Sequence, residues 1–382
     1  MKKNLHIFLP SFENYAGHEI QFIDILNLFT KKKTLSSVFI LPKTNKIKFK
    51  GNIKRILNGK KENFPITKIL NIFKNFRVLK KYFATEISPQ KKSIIYIDGY
   101  SFYFLVTILL TLIFARNKNL SLILWIRYPY NDIIRKNIFK IFLYLANKFF
   151  EKKIFLTENI LLKKKLINNF RLSNLNLMPS LHNLYELNKK FYNIKIKKYQ
   201  NKNKINFLCP GVFRKEKYGS NLINFLKKNQ EKYFDLKISR LFQSKVINYK
   251  KINYKKINYK MIFIKDNLNI KNHIQQIIES DFIILPYQMP NYNYRTSGIF
   301  FESISLNKPT LITDGTLLSK DLKKFNLEYL IVKDWKKLSV DFIKKESKVK
   351  KNILNLKKIA SYYRSINGSK NFTKHLVKIA NL

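Results

Sequence analysis

Cysteine, glycine and acidic residues are all scarce in this chain of 382 residues. The single cysteine, Cys209, excludes a disulfide framework and a cysteine-rich zinc site, and five scattered histidines give no pattern of metal ligands. Nine Gly and ten Pro exclude collagen-like and other fibrous structures. The length matches about two to three average domains. Because 46% of the residues are hydrophobic, the sequence predicts a folded protein. The lone cysteine favours a reducing compartment.

Acidic residues are outnumbered, because 75 Lys and Arg stand against 23 Asp and Glu and give a formal net charge of +52. Such a chain is attracted to polyanions. Nucleic acid, the anionic cytoplasmic leaflet of a membrane and small anionic substrates are the three classes of partner this charge favours. Lys, Asn, Ile, Phe and Tyr are all abundant together, as AT-rich coding would make them. A compositional origin and a functional origin of the charge therefore both stay open.

Long hydrophobic runs are also absent. The first apolar run, Leu5–Leu9, is too short for a signal peptide and meets Pro10 at once, so it predicts a first strand. The longest run, 102–115, is shorter than the roughly 18 to 20 residues that span a bilayer. It predicts a buried helix, with an interfacial membrane segment as the alternative.

Short apolar runs alternate with longer segments of helical periodicity in the first half of the chain. This alternation is typical of a parallel sheet covered by helices. The predicted strands are Leu5–Leu9, Ser37–Leu41, Ile94–Ile97, Ser121–Ile126, Lys153–Leu156 and Leu175–Met178. The predicted helices are His18–Thr30, Ile66–Phe83, Ser101–Arg116, Asp132–Phe149 and Asn159–Asn169.

A polar, Lys- and Asn-rich stretch separates this half from a second alternation of the same kind. The predicted strands there are Ile205–Cys209, Leu236–Ser239, Met261–Ile264, Phe282–Leu285 and Thr310–Thr313. The predicted helices are Gly219–Asn229, Ile270–Ser280 and Gly298–Leu306. The sequence thus predicts an α/β protein of two Rossmann-like doubly wound domains facing a cleft, with a helical tail. We expect domains at 1–184 and 205–346, a linker at 185–204 and the tail at 347–382.

Residues 280–315 carry the most informative pattern. A strand ends at Pro286-Tyr287, a polar loop follows, and Thr296-Ser297-Gly298 opens a helix. A helix that begins in this way presents backbone N–H groups and the positive end of its dipole, which are good phosphate ligands. Arg295 would add a charge-assisted contact. Glu302, one turn further on, could accept both hydroxyls of a ribose, although an ordinary capped helix with a solvated Glu has the same residue types.

Taken together, this segment resembles the donor-binding half of GT-B glycosyltransferases, particularly the retaining family-four type. Four short segments match the positions of the family's sequence motif. They are Leu285-Pro286-Tyr287, Ser297-Gly298, Glu302-Ser303 and Asn307-Lys308-Pro309. The resemblance implies that Glu302 binds the ribose and that Tyr294, Arg295, Thr296, Ser297 and Gly298 lie at the nucleotide sugar. The family has a first glutamate eight positions before the second, and Tyr294 stands there in this chain.

A second patch of the resemblance is the loop at 210–219, where the family has Gly, then Arg, then Glu-Lys-Gly. Gly211, Arg214 and Lys217 match, with Tyr218 interposed before Gly219. The family's Arg and Lys hold the donor diphosphate. Fixed cations there lower the barrier because the leaving diphosphate gains negative charge in the transition state. The resemblance therefore gives Arg214, Lys217 and Arg295 catalytic roles and Gly211 a donor-binding role.

The first half offers weaker candidates for the acceptor side of a cleft. Gly17 and His18 lie in a loop similar to the first loop of GT-B enzymes, and Arg127 follows a strand where relatives have a His. Asp98 could take an acceptor hydroxyl, although Asp before Gly is also typical of a plain turn.

These features favour a glycosyltransferase that moves a sugar from a nucleotide-sugar donor to a glycan or lipid-linked acceptor in cell-surface polysaccharide or lipopolysaccharide synthesis. The resemblance implies a retaining reaction. No metal-binding motif of the other glycosyltransferase architecture is present, so we expect no metal and no other cofactor. We expect a cytoplasmic protein, peripheral on the inner face of an anionic membrane. The alternatives are a basic protein that binds nucleic acid or anionic membranes, although no nucleic-acid module is recognised, and an inactive GT-B scaffold.

Overall fold

The computed structural model describes residues 3–10, 12, 35–46, 51–58, 65–87, 92–98, 102–115, 119–127, 129–130, 132–179, 204–211, 215–239, 257–265, 270–344 and 346–380. The chain divides into two compact units. The first comprises Met1–Leu181 with Gly368–Leu382, and the second comprises His182–Asn367. The expected helix His18–Thr30 and most of the expected linker lie outside the described residues.

The first unit contains a seven-stranded, entirely parallel sheet. Its strands are β1 (Lys3–Phe8), β2 (Leu35–Pro42), β3 (Asn52–Leu57), β4 (Ser93–Asp98), β5 (Leu120–Trp125), β6 (Lys152–Thr157) and β7 (Leu175–Leu177). All six predicted strands are confirmed. The sequence prediction missed β3, because this strand lies at the edge of the sheet and its half-exposed side chains give no continuous apolar run.

Four described helices cover the first sheet. They are α1 (Pro65–Glu86), α2 (Phe102–Ala115), α3 (Ile133–Phe149) and α4 (Ile160–Phe170). Asp132 and Asn159 cap α3 and α4, since their side chains accept hydrogen bonds from the backbone N–H groups of Arg135 (2.9 Å) and Leu162 (2.8 Å). The helix predicted at 102–115 is confirmed, and its inner side is buried through Leu105, Ile108 and Leu112.

The second unit contains a six-stranded parallel sheet. Its strands are β8 (Ile205–Cys209), β9 (Phe234–Ser239), β10 (Lys260–Ile264), β11 (Phe282–Leu285), β12 (Thr310–Thr313) and β13 (Ile331–Val332). The five predicted strands are confirmed, and β13 was missed because two residues give no measurable pattern.

The remaining helices complete the two units. They are α5 (Lys215–Lys228), α6 (Ile270–Glu279), α7 (Gly298–Ser305), α8 (Leu317–Lys324), α9 (Val340–Lys344), α10 (Glu346–Ile366) and α11 (Ser369–Ala380). The predicted helices at 219–229, 270–280 and 298–306 are confirmed, but the first of them begins four residues earlier than expected.

The tail expected at 347–382 divides between the units. Helix α10 packs on α7 in the second unit through Tyr363 and Phe301, whose ring centroids are 4.8 Å apart. Helix α11 belongs to the first unit, where Phe372 lies 5.0 Å from the Trp125 ring.

Strand order fixes where a ligand can approach each sheet. The first sheet runs β3-β2-β1-β4-β5-β6-β7, and the second runs β10-β9-β8-β11-β12-β13. In each sheet the first three strands are added one after another toward one edge. The chain then crosses back to the middle, and the later strands are added toward the other edge. The reversals fall between β1 and β4 and between β8 and β11. In doubly wound sheets, ligands bind beyond the carboxyl ends of the strands at such a switch point.

No helix among these described residues combines the length and the apolar character needed to cross a bilayer.

Candidate functional site

The carboxyl ends of β8 and β11, which are hydrogen-bonded neighbours, form the floor of the candidate donor site. Strand β8 ends in buried Cys209 and passes through Pro210 to Gly211, whose φ is 94°. Only glycine takes that backbone conformation without strain. The chain therefore turns sharply at the switch point of the second sheet, where the sequence predicted a donor-binding glycine.

Gly219 brings the loop after β8 against the loop after β11. Its backbone (φ 28°, ψ −140°) interrupts helix α5. A Cβ added to Gly219 would overlap the side chain of Gln288, and the Gln288 amide Nε2 donates to the Ser220 hydroxyl at 3.0 Å. The close approach needs a residue without a side chain, which explains why Gly occupies the second turn of α5.

Asn221 and Tyr287 fasten the two loops together. The Asn221 amide Nδ2 donates to the carbonyl oxygens of Pro286 (3.3 Å) and Tyr287 (3.2 Å). The buried Tyr287 ring stacks on Tyr292 with centroids 3.9 Å apart, and its hydroxyl lies 2.6 Å from the Ser297 hydroxyl. Burial raises the pKa of Tyr287 well above its ordinary value, so this phenol stays neutral and serves as a hydrogen-bonding group.

Ser297 opens helix α7 in the way the sequence predicted. Its Oγ accepts a hydrogen bond from the Phe300 backbone N–H at 3.3 Å and caps the helix. Tyr294, Arg295 and Thr296 are half-buried in the turn just before it. A helix start in the loop region beyond a switch-point strand has free first-turn backbone N–H groups that can bind an anion.

Glu302, in the second turn of α7, pairs with His273 of α6. The His273 Nε2 lies 2.8 Å from the Glu302 Oε2, and the two side chains are 23% and 11% exposed. Burial acts to lower the pKa of His273, but the hydrogen bond and the negative charge of Glu302 outweigh it and raise the pKa. The carboxylate is therefore held in a fixed orientation rather than being the solvated side chain of an ordinary capped helix.

Lys217 supplies positive charge near the end of β8. Burial raises the pKa of the Cys209 thiol, and the charge of the half-buried Lys217 acts on that thiol in the opposite direction. Arg214 lies outside the described residues. Gly211, Lys217, Tyr294, Arg295, Thr296, Ser297, Gly298 and Glu302 are thus all in the loops and helix starts that follow β8 and β11 in the second unit.

In the first unit, Asp98 and Arg127 lie at the carboxyl ends of the neighbouring strands β4 and β5. The Arg127 Nε lies 3.2 Å from the Asp98 Oδ1, and both side chains are buried. The guanidinium carbon lies 3.7 Å from the centroid of the Trp125 ring, a cation–π geometry. Both candidates are therefore partners in one ion pair beside the switch point. The other two acceptor-side candidates, Gly17 and His18, fall outside the described residues.

Sequence reasoning missed three residues of the candidate donor site. His273 carried a usable signal, since it is one of only five histidines, but its partner lies 29 positions away. Asn221 and Gln288 act through single amide groups between loops, and amides are too common in this chain to stand out. Within the described residues, no group of three or more His, Cys, Asp or Glu could hold a metal ion.

Comparison with known proteins gives structural likeness only. No protein-family model matches the chain, and no curated protein matches it. Among solved structures, the N-terminal domain of Candida albicans trehalose-6-phosphate phosphatase is 12% identical with a TM-score of 0.69, covering 100% of this chain and 97% of that one. Anabaena HepE in complex with UDP and glucose is 12% identical with a TM-score of 0.58, covering 98% and 99%.

The lipopolysaccharide outer core galactosyltransferase WaaB, in its apo form, is 10% identical to this chain with a TM-score of 0.57, and each chain is covered completely. Identities this low establish the fold. The chain has two parallel sheets, the direction of strand addition reverses once in each, and these solved structures match it over almost its full length. The chain therefore has the GT-B fold of glycosyltransferases.

Proposed function

We propose that this protein is a glycosyltransferase whose second unit binds a nucleotide-sugar donor. The observation that carries the proposal is the Glu302 carboxylate, fixed by His273 at 2.8 Å in the second turn of a helix that begins beside the switch point. A carboxylate that is already oriented can accept hydrogen bonds from vicinal hydroxyls without first losing side-chain entropy. The GT-B fold and the bound UDP named for the HepE structure support the same ligand class.

The donor diphosphate is proposed to lie against the start of α7. Ser297 already caps the Phe300 N–H, so the first-turn amides of Gly298 and Ile299 would receive phosphate oxygens. Arg295, just before this turn, and Lys217, after β8, would stabilise the charge that develops on the leaving diphosphate. Arg214 would act with them. Because these cations can neutralise that charge, we propose transfer without a metal ion or other cofactor.

We propose that the reaction retains the anomeric configuration. In the family that the sequence resembles, a first glutamate faces the donor sugar, and here Tyr294 has that place. Its phenol can donate a hydrogen bond to the sugar but carries no negative charge. The diphosphate oxygens, rather than a carboxylate of the protein, would then take the acceptor proton on the same face of the sugar. Product anomer analysis by NMR decides between retention and inversion.

The acceptor is proposed to be a glycan or lipid-linked molecule that meets the first unit. Asp98 and Arg127 pair with each other at the switch point of the first sheet, so we propose that an acceptor hydroxyl meets an ion pair rather than a lone carboxylate. A cytoplasmic enzyme, peripheral on the inner membrane face and acting in polysaccharide or lipopolysaccharide synthesis, fits this acceptor class.

A thermal-shift panel of UDP, GDP, ADP and their sugar conjugates tests the donor site, because a ligand that binds only the folded state raises its stability. We expect one nucleotide family to raise the Tm of the wild type and not that of Glu302→Ala. Glu328→Ala is the matched control, since Glu328 is an exposed glutamate of the same unit. If no nucleotide raises the Tm while DNA does so in a salt-dependent manner, the basic-binder alternative replaces this proposal. Donor binding without turnover would instead indicate an inactive scaffold.

A further inference from the structure

Helices α1, α2 and α3 of the first unit expose an unusual number of large apolar side chains. Of the nineteen exposed large hydrophobic residues among the described residues, ten lie on these three helices. They are Ile69, Leu70, Phe73, Tyr103, Ile113, Phe114, Ile133, Ile134, Ile141 and Tyr144. Single exposed apolar residues are normal, but a concentration of them on adjacent elements marks an interaction surface.

The three helices form one layer, so these side chains share one outer surface. Helix α1 packs on α2, where Phe76 and Phe114 have ring centroids 5.4 Å apart and the Lys80 Nζ lies 5.4 Å from the centroid of the Phe114 ring. Helix α2 packs on α3 in turn. The opposite sides of α1 and α2 are occupied, because Tyr82 and Phe104 pack on Phe8 of the sheet. The exposed residues thus point away from the core.

The same surface is strongly positive. Helix α1 contains five Lys and Arg residues and α3 contains four, whereas Glu86 is the one acid in the three helices. Glu86 forms an ion pair with Lys54 of the neighbouring strand β3. Along α3, the exposed Ile134, Ile141 and Tyr144 are interspersed with the exposed Arg135, Lys140 and Lys148. Apolar and cationic groups are therefore interleaved rather than separated.

We propose that this surface, the outer faces of α1, α2 and α3, docks on an anionic phospholipid bilayer. The isoleucines and aromatic rings would enter the boundary between headgroups and acyl chains, and the Lys and Arg side chains would meet lipid phosphates. Charge complementarity selects this occupant over a second copy of the chain, because two copies would bring surfaces of the same positive sign together. Six of the ten exposed apolar side chains are aliphatic, and a nucleic acid would leave these in water.

This inference rests on the peripheral membrane location proposed above and gives it a surface, but it is independent of the candidate donor site. The docking surface lies on the first unit, whereas Glu302 and its neighbours lie on the second. Vesicle binding needs neither a nucleotide sugar nor turnover. A failure of membrane binding would thus leave the proposed sugar transfer untouched, and a protein without transferase activity could still bind vesicles.

Sedimentation of the full chain with vesicles tests the surface. Phosphatidylcholine vesicles are compared with vesicles in which about a third of the lipid is phosphatidylglycerol, at about 0.15 M salt. We expect binding to the anionic vesicles only. The double variant Ile134→Ser, Tyr144→Ser should lose roughly tenfold or more in partitioning. The control Leu354→Ser, Tyr233→Ser removes the same kinds of exposed side chain from the second unit and should bind as the wild type does.

A charge-matched pair of variants separates a specific surface from diffuse attraction. The test variant is Arg77→Gln, Lys80→Gln, Lys81→Gln on α1, and the control is Lys336→Gln, Lys337→Gln, Lys358→Gln in the second unit. Both remove three positive charges. Each lysine close to an anionic surface contributes about a fivefold gain in binding, so only the α1 variant should weaken binding by tenfold or more. Equal losses in the two variants would overturn the proposal, as would undiminished binding by Ile134→Ser, Tyr144→Ser.

A fluorescent reporter checks insertion directly. Cys209 is the only cysteine and is buried, so a thiol introduced by Ile134→Cys can be labelled selectively with an environment-sensitive dye. Its emission should shift to the blue on addition of the anionic vesicles, while the same dye on Leu354→Cys should not respond. An unchanged spectrum at position 134 would exclude docking through α3.

Discussion

The contact between His273 and Glu302 makes the stability of the second unit depend on pH. Glu302 raises the pKa of His273 above the ordinary value of 6.5. The contribution of the pair is therefore fully present below that ordinary value and is lost as the pH rises through the raised pKa of the folded state. Glu302→Gln keeps the shape and an acceptor oxygen but removes the charge, so the variant should lack this pH dependence.

The size of the effect follows from the geometry. The two atoms are 2.8 Å apart and the side chains are only 23% and 11% exposed, so salt screens the pair less than a surface pair. A hydrogen bond between charged groups contributes about 1.5–3 kcal/mol and a neutral one about 0.5–1.5 kcal/mol. We expect Glu302→Gln to lower the free energy of unfolding by about 1–2 kcal/mol at about pH 6, and by less at about pH 9.

Urea denaturation of the full chain at several pH values measures this difference. Glu328→Gln is the control, because it removes one negative charge from the surface of the same unit. The difference in free energy of unfolding between Glu328→Gln and the wild type should stay constant across the pH range. The other histidines are the same in the wild type and the variant, so the difference between the two curves reports the Glu302 substitution alone. Parallel curves for the wild type and Glu302→Gln would refute the inference that the pair carries a protonated imidazole.

Three further perturbations probe the structure. Arg127→Ala leaves the Asp98 carboxylate buried without its guanidinium, so it should lower the free energy of unfolding by about 3–5 kcal/mol in urea denaturation; a loss below about 1 kcal/mol would contradict the observed burial. Gly219→Ala should lower the Tm for two reasons, namely the overlap of the new Cβ with the Gln288 side chain and the positive φ of the backbone. The double variant Gly219→Ala, Gln288→Ala should regain only the part of the Tm loss that the overlap causes, because the backbone strain remains. Raising KCl from about 0.02 to about 0.3 M should raise the Tm, since screening relieves the self-repulsion of a +52 chain; a falling Tm would mean that ion pairs dominate.

The two parallel sheets were predictable because buried parallel strands give continuous apolar runs. Ile283, Ile284 and Leu285 of β11 are all almost completely buried, and in the sequence they form a continuous apolar run. Strand β3 escaped prediction for the complementary reason, since only one of its six residues is buried at the sheet edge. Strand β13 escaped because its two residues are too few for any period to be read.

The candidate site was predictable where chemistry depends on local sequence. Ser297 caps α7 as expected because a cap is defined by residues three positions apart. The partners of Glu302 and Asp98 were not predictable, because strand order, which sequence spacing does not give, brings His273 and Arg127 to them. Both acids looked like isolated hydroxyl acceptors in the sequence, and each in fact contacts a basic side chain, Arg127 for Asp98 and His273 for Glu302.

The kind of basic side chain at these two positions bears on the origin of the positive charge of the chain. Only ten of the 75 cationic residues are Arg, and only five residues of the chain are His, so a cation drawn by composition alone would be Lys. Surface pairs do use Lys, as in Lys237 with Glu279, and such pairs contribute little. Asp98 and Glu302 instead meet planar groups. Asp98 contacts the Arg127 guanidinium, which lies over the Trp125 ring, and Glu302 contacts the His273 imidazole through a hydrogen bond. A planar guanidinium can stack and donate within one plane, which an ammonium cannot do. Composition therefore accounts for much of the surface charge, whereas geometry dictates the basic side chains that contact Asp98 and Glu302.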